Sequence, residues 1–365
     1  MRWNWQLPNW PKFIYDPQTI SQKEKQFLLQ VGSASAFLKN IEQPEYHRFV
    51  VEILSSEGLE SSKIEGEILD RESLQSSIKQ HFGIQPRKKE DNKESRMAKL
   101  LCDVYESFAQ PLTHEMLWRW HSELFKEQSH VVDSGKYRTH AEPMQIVSNR
   151  YDSTRVFFEA PPSKQVHDEM TNFIEWFNGS ESQPILVRAS IAHVYFESIH
   201  PFEDGNGRIG RVLVEKVLSQ GIERPILIAV SKILERRRKE YYAALERCNH
   251  TLEVNHWLEF FADVILQAQE ETMAFLHFLI EKAKMLLSLS DDLNARQEKV
   301  LLRMFAEGPS GFKGGLSAEN YIAIAKTSRA TATRDLNELV RLGALIKTGE
   351  LRHTRYQLNI SKSKP

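Results

Sequence analysis

From residue 21 onward, apolar side chains return every three or four positions, the spacing that gathers them on one face of a helix. Phe27, Leu28, Val31, Phe37 and Leu38 form one such series, and Phe49, Val50, Ile53 and Leu54 open another. Residues 51–69 are helix-like, with a break expected near Gly58. The same spacing predicts helices over 97–108, 116–125, 166–177, 184–199, 209–219 and 231–247, then one long or two shorter ones over 256–287. Before residue 20 the pattern is different. Trp3, Trp5, Trp10, Phe13 and Tyr15 are interleaved with Pro8, Pro11 and Pro17, which argues against a regular helix and for an irregular segment pinned to a helical core by its aromatics. Between 134 and 162, Gln145-Ile146-Val147 and Arg155-Val156-Phe157-Phe158 read as strands about the turn-rich residues 148–153, a β-hairpin.

The last 70 or so residues follow another order: helices over 295–307, 318–325 and 330–342, a glycine-rich loop over 308–315, and short strands at 344–347 and 354–358 about Thr348-Gly349. Three helices followed by a two-stranded wing predict a winged helix-turn-helix. Residues 330–339 would be its recognition helix, with Arg334 able to reach a base or phosphate. Lys326, Arg329, Lys347, Arg352, His353 and Arg355 add a local basicity suited to weak phosphate contact. The same architecture also serves protein contacts, so DNA stays one of two readings for this module. The chain as a whole carries a net charge of −1, which gives no argument for nucleic acid or an anionic membrane. Residues 87–94 are a mixed-charge run read as a solvated loop or helix start. Cys102 and Cys248 fit neither a disulfide framework nor a metal spacing. The N-terminus lacks the apolar stretch of a signal peptide, and no later segment approaches the ~20 apolar residues of a spanning helix. These features predict a soluble, cytoplasmic, mainly α protein with no membrane partner.

The chemistry is concentrated in Ile199-His200-Pro201-Phe202-Glu203-Asp204-Gly205-Asn206-Gly207-Arg208-Ile209-Gly210-Arg211. Gly205, Asn206 and Gly207 are free to take positive φ and to turn their N–H groups into one concavity, an anion nest. The turn runs into the helix expected from 209, whose N-terminus adds partial positive charge. Arg208 and Arg211 lie in the first turn, where the dipole disfavours cations; their presence beside a nest makes sense if a polyanion occupies it. Asp204 is a lone carboxylate of the kind Mg²⁺ uses beside phosphates. His200 titrates near neutrality and can take a proton from an attacking hydroxyl.

This run resembles the signature of the Fic family, His-Pro-Phe-x-Asp/Glu-Gly-Asn-Gly-Arg-x-x-Arg, and meets every fixed position. The resemblance extends over about 101–261 and implies an all-α core with a short hairpin flap. It also implies transfer of AMP from ATP to Ser, Thr or Tyr hydroxyls of proteins, with Mg²⁺ and release of pyrophosphate. By motif position His200 would be the base and Asp204 the metal ligand. Gly205, Asn206, Gly207, Arg208, Ile209, Gly210 and Arg211 would hold the nucleotide. Tyr241 and Asn249 resemble the segment bordering the base and stand eight apart, two helical turns; a buried Tyr and an exposed Asn would be the plain alternative. Val156, Phe157 and Phe158 resemble the flap, so a target protein would dock at the 145–160 hairpin by β-pairing.

Ser61-Ser62-Lys63-Ile64-Glu65-Gly66 resembles the family's inhibitory motif, Ser/Thr-x-x-x-Glu-Gly/Asn. Ser61 and Glu65 are i, i+4 and share a face. The resemblance implies that Glu65 pairs with Arg211 and displaces the donor's γ-phosphate. It divides the chain into an N-terminal helical region over 1–96 carrying this motif, a catalytic core over 97–288 and the winged helix-turn-helix over 289–365. Removal of AMP from modified proteins and a nucleotide-sensing DNA-binding regulator are the alternative functions. A homodimer, the target and a donor other than ATP are left open by the sequence.

Overall fold

Apolar residues fill ten of the fifteen positions of 185–199 and fall on every side, and a helix apolar all round has to be buried all round. That helix, α7 (Ile185–Ile199), is the centre of the fold. Helix α8 (Asn206–Gly221) packs along it, and the six residues between them form the loop singled out above. The computed structural model describes residues 2–39, 41–88, 91–126, 131–147, 155–308, 311–312 and 314–360, with the side chain of Arg352 left aside. The expected turn at 148–153, Lys89 and Glu90 of the charged run, and positions 309, 310 and 313 of the glycine-rich loop lie outside the described residues.

Contacts divide the chain into two units, Met1–Ser35 with Tyr46–Gln269, and Ala36–Glu45 with Glu270–Pro365. The elements of the first half are α1 (Ser21–Leu38), α2 (Gln43–Ile64), α3 (Arg71–His81), α4 (Lys93–Ser107) and α5 (His114–Phe125). A two-stranded antiparallel hairpin follows, β1 (Gln145–Val147) and β2 (Val156–Glu159), with Ile146 opposite Phe158. Then come α6 (Ser163–Gly179), α7, α8, α9 (Val230–Arg236), α10 (Arg238–Cys248) and α11 (Asn255–Ser288). Helices α4, α5 and α6 pack about the α7–α8 pair. From Tyr46 on, α2 is in the same unit as the loop between α7 and α8, so the units cut the chain differently from boundaries at 96 and 288.

The second unit holds α12 (Ala295–Ala306), α13 (Ala318–Ala325), α14 (Arg329–Arg341) and an antiparallel pair, β3 (Leu345–Thr348) and β4 (Arg355–Leu358). Its three helices are capped by Asn294, Ser317 and Ser328, whose side chains accept first-turn N–H groups. Buried Asp335 joins them by accepting from Arg296 Nε and from the Tyr321 hydroxyl, both at 3.0 Å. The order of elements is the one the sequence predicts. Among the described residues, no helix is long and apolar enough to cross a membrane.

Several expectations fail locally, each for a physical reason. Helix α2 does not break at Gly58: a Cβ there would lie 2.8 Å from Leu101 Cδ1 and 2.9 Å from Met97 Cγ, so the glycine lets α4 approach. It ends at Ile64, short of residue 69, in a glycine cap described below. Helix α3, absent from the sequence reading, starts at Asp70, whose side chain accepts from Ser73 N, and buries Leu74 and Ile78. Residues 231–247 form two helices, because Arg237 (φ −102°, ψ 25°) ends α9 and opens α10. Helix α11 is one helix. The N-terminal aromatics behave as expected: Trp3 meets Phe158 edge-on, and Trp10 and Phe13 pack on Tyr195.

Gly58→Val forces a branched side chain against Leu101 and Met97. Overpacking of this kind costs about 1–3 kcal/mol, so the urea midpoint should fall accordingly. A midpoint at or above that of the wild type would mean that α2 and α4 can part freely.

Candidate active site

The loop between α7 and α8 is held by its own atoms. His200 ends α7 in the left-handed region (φ 50°, ψ 60°), its N–H donating to Phe196 O at 3.0 Å. Phe202 turns inward and stacks on His121 at 4.2 Å. Asn206 closes the loop with both ends of its amide, Oδ1 accepting from Phe202 N (2.9 Å) and Nδ2 donating to Phe202 O (2.8 Å). Its side chain is therefore a fastener, and only its backbone N–H is left for a phosphate. Gly205 needs to be glycine twice over: its φ is 82°, and a Cβ would lie 2.5 Å from Phe125 Cε2.

Of the expected glycine-rich nest, only Gly205 has positive φ; Asn206 and Gly207 are already the first turn of α8. The helix starts three residues earlier than the apolar spacing indicates and has neither a side-chain cap nor an acidic residue in its first turn. Its first N–H groups have no intrahelical acceptor, which makes the terminus an anion site. Arg208 stands in that turn, whereas Arg211 is one turn further on, not in the first turn as expected.

Both arginines are buried and both meet carboxylates. Arg211 donates from Nε to Ser61 Oγ (2.9 Å) and from Nη2 to Ser61 O (2.9 Å) and Glu65 Oε1 (2.8 Å). Arg208 pairs through Nη1 with Glu67 Oε2 at 2.9 Å, lies 3.5 Å from Asp204 Oδ1 through Nη2, and sits over the Phe125 ring. The C-terminus of α2 delivers both carboxylates. Glu67 N donates to Ser62 O and Gly66 N to Lys63 O, each at 3.0 Å, with Gly66 at φ 84°. This Schellman cap needs a left-handed residue between Glu65 and Glu67, which is why glycine separates them. A Cβ on Gly207 would lie 2.1 Å from Glu65 Oε1, so that carboxylate rests directly on the first turn of α8.

Above this floor is a cavity of about 680 Å³. Glu65, His200, Asp204, Gly205, Asn206 and Gly207 line it, as do Tyr241 and Asn249. Arg208, Ile209, Gly210 and Arg211 do not; Ile209 is fully buried, and Gly210 packs against Glu197 and His193. Tyr241 is buried, with its hydroxyl 2.8 Å from His193 Nε2. Asn249 donates from Nδ2 to Phe157 O at 2.9 Å. Trp5 Nε1 donates to Glu159 O at 2.7 Å, so two outward carbonyls of β2 are already taken. Among the described residues the outer edge of β1 has no such partner.

Glu197 is the cavity residue that sequence reasoning missed. Its Oε2 is 3.7 Å from His200 Nδ1, and its Oε1 is buried without a hydrogen-bond partner. Burial, then the Glu65 charge, pushes its carboxyl up to about 8, against the pull of Arg211. Burial, then the Arg138 charge, pulls the His200 ring down to about 4. At neutral pH the imidazole is therefore unprotonated and the carboxyl next to it is not. Among the described residues no three His, Cys, Asp or Glu converge as for a tightly held metal. Asp204, half-exposed on the cavity wall, does suit Mg²⁺, which keeps most of its waters and takes few protein ligands.

Residues 111–218 match the Fic/DOC family, and residues 3–84 match a domain of unknown function (DUF4172). "Probable protein adenylyltransferase aq_aa38" of Aquifex aeolicus is 33% identical over 88 residues, 24% of this chain and 25% of that protein. "Protein adenylyltransferase Fic" of Nematostella vectensis is 31% identical over 116 residues, 30% of this chain and 26% of that protein. The chain thus spans about a quarter of the length of the curated relatives it matches. The crystal structure of a Fic family protein from Desulfovibrio desulfuricans G20 has the same fold, with a TM-score of 0.56 at 20% identity over 95% of this chain and 97% of that one. The chain carries a Fic domain.

The raised carboxyl of Glu197 gives a stability signature. The native state keeps a proton that the unfolded chain loses above its ordinary value of 4.5. The stabilisation is full below that value and disappears as pH rises through about 8. Glu57, buried and raised to about 7, adds a slope of the same sign. Glu197→Gln should lose less stability than the wild type between pH 5 and 8.5, roughly, by urea unfolding. An equal loss in both proteins would remove Glu197 as a source of the slope.

Proposed function

We propose that this chain transfers AMP from ATP to a Ser, Thr or Tyr hydroxyl of a protein, itself included, and releases pyrophosphate. One observation carries the reading: a neutral imidazole opens onto the same cavity as an uncapped helix N-terminus with two buried guanidinium groups behind it. The triphosphate lies over the first turn of α8, where N–H groups and the arginine charges meet its oxygens. Arg208 Nε and Arg211 Nη1, both buried without hydrogen-bond partners among the described residues, are donors still unspent. His200 takes the proton of the incoming hydroxyl as its oxygen bonds to the α-phosphorus and the bond to pyrophosphate breaks. Mg²⁺ held at Asp204 would offset phosphate charge. Tyr241 and Asn249 line the same cavity and would border the base. A target segment adds to the hairpin through β1, which carries its hydroxyl to His200.

In the closed form Glu65 occupies the phosphate's position. It rests on Gly207 and takes the Arg211 fork, so a γ-phosphate finds its partner engaged. Glu67 does the same to Arg208. The brake therefore has two carboxylates, one for each arginine, delivered by one Schellman cap.

Intact-mass measurement after incubation with ATP and Mg²⁺ tests the transfer. Glu65→Gly should gain the mass of AMP faster than the wild type, and His200→Ala in that background should lose at least about 100-fold in rate. No mass gain by Glu65→Gly with any nucleotide triphosphate would overturn the reading.

Glu67→Gln isolates the second carboxylate. Removing one partner of a buried pair changes an affinity by more than a surface pair would, so ATP should bind Glu65→Gly/Glu67→Gln several-fold tighter than Glu65→Gly alone. Equal affinity in calorimetry would reduce Glu67 to a structural contact.

A further inference from the structure

Away from the cavity wall, one guanidinium reaches both halves of the site. Arg138 is 2% exposed and lies between α5 and β1. Its Nε donates to His200 O at 2.9 Å, and its Nη2 to Pro161 O at 2.5 Å and Ile199 O at 3.4 Å. Its Nη1 donates to Ser163 Oγ at 3.0 Å, and its own backbone N–H to Pro201 O at 3.0 Å. The acceptors belong to two segments: the end of α7 with its histidine, and residues 161–163, which leave β2 for α6. Among the described residues no carboxylate pairs with it.

Such a group is not needed merely to fill space. His200 sits at φ 50°, a left-handed region unfavourable to a residue with a Cβ, and a strained residue persists only where its surroundings over-determine it. The hydrogen bond to the His200 carbonyl fixes the peptide from which the ring departs. Those to Pro161 and Ser163 fix the root of the flap strand to the same guanidinium.

We propose that Arg138 is the positioning residue of the transfer reaction: it sets the aim and protonation of His200 and keeps the base at a constant distance from the strand that docks the target. The proposal rests on His200 acting as the base. Charges on several elements face that ring. The Glu197 backbone carbonyl on α7 and the charges of Glu65 after α2 and Asp204 in the loop favour its protonated form, and the Arg138 charge opposes it. With burial, the Arg138 charge keeps the ring neutral despite these two carboxylates. A clamp with a purely mechanical role would stabilise the loop and leave the titration of the ring unmoved.

Two substitutions separate charge from geometry. Arg138→Gln retains donors and loses the charge; Arg138→Lys retains the charge and loses the fork. Both are made in the full chain carrying Glu65→Gly, with folding checked by circular dichroism. The ring titration is read by NMR of labelled histidines, His200 being assigned by its disappearance in His200→Ala. Arg138→Gln should raise the His200 midpoint by about one unit or more, the shift usual for loss of a nearby charge. Arg138→Lys should leave the midpoint in place yet lower kcat roughly 10- to 100-fold at unchanged KM for ATP, because the ring loses its aim. A folded Arg138→Lys with parental kcat, or an unmoved midpoint in folded Arg138→Gln, would overturn the proposal. Should Arg138→Gln not fold, the kcat and KM of Arg138→Lys decide alone. If the Glu65→Gly parent itself transfers nothing, the adenylyl-transfer reading falls, and the NMR midpoint still reports whether Arg138 governs the ring.

Discussion

An uncapped helix N-terminus backed by two buried arginines has to be given an anion, and the rest of the site follows from that requirement. Burying a guanidinium costs several kcal/mol unless a partner repays it, and Arg211 is almost wholly buried. The partner here is Glu65, resting on Gly207 and reaching Arg211 at 2.8 Å. Because Glu65 rests on the first turn of α8 and takes Arg211, it stands where the proposed function puts the triphosphate. On the proposed function, inhibition needs no machinery beyond this carboxylate. The Schellman cap of α2 extends this to Arg208, since the left-handed Gly66 turns the residues on either side of it towards the two cations.

The same carboxylate reaches the protonation of the chamber. Glu197 and His200 lie 3.7 Å apart, and their environments push their titrations in opposite directions, to about 8 and about 4. Burial is the larger cause in both cases, and it favours whichever form is neutral. The result is a reversal of the usual order, in which the carboxyl holds a proton and the imidazole does not. A pair pushed apart in this way marks where a proton is meant to move. On the proposed function the acceptor is the ring, whose protonation is opposed by the Arg138 charge and aided by Glu65 and Asp204.

What could be read from the sequence was what is local along the chain. The His200–Arg211 loop is contiguous, and its residue types announce an anion site before any folding is known. Ser61 and Glu65 needed only a helix to share a face. Tyr241 and Asn249, two turns apart, do line one cavity. The illegible parts depend on tertiary approach. Nothing near Gly58 tells a helix break from a close crossing, because the reason lies on α4 at Leu101 and Met97. The start of α8 was misjudged because apolar spacing begins at Ile209, whereas the helix is set by Gly205 and the Asn206 fastener, which are not apolar. Arg138, Glu197 and Glu67 carry no motif. Only the distances to His200 and Arg208 give them roles, although a buried arginine or glutamate in a helical core is a signal worth following once burial is known.

The hairpin shows why the chain's first residues matter to a site 200 positions away. Two strands of three and four residues are marginal on their own. One edge of β2 is closed by groups from opposite ends of the unit, Trp5 on Glu159 O and Asn249 on Phe157 O. Those groups are in turn fixed to each other, since Asn4 N donates to Asn249 O at 2.7 Å. Trp3 packs edge-on against Phe158 and stacks on His250, which completes the cluster. An exposed strand edge pairs with whatever extended chain it meets. Closing β2 leaves β1 as the exposed edge of the hairpin, and Arg138 ties the residues after β2 to the His200 carbonyl. On the proposed function, the direction from which a hydroxyl approaches His200 is thereby set by the N-terminal aromatic segment as much as by the loop that bears the histidine.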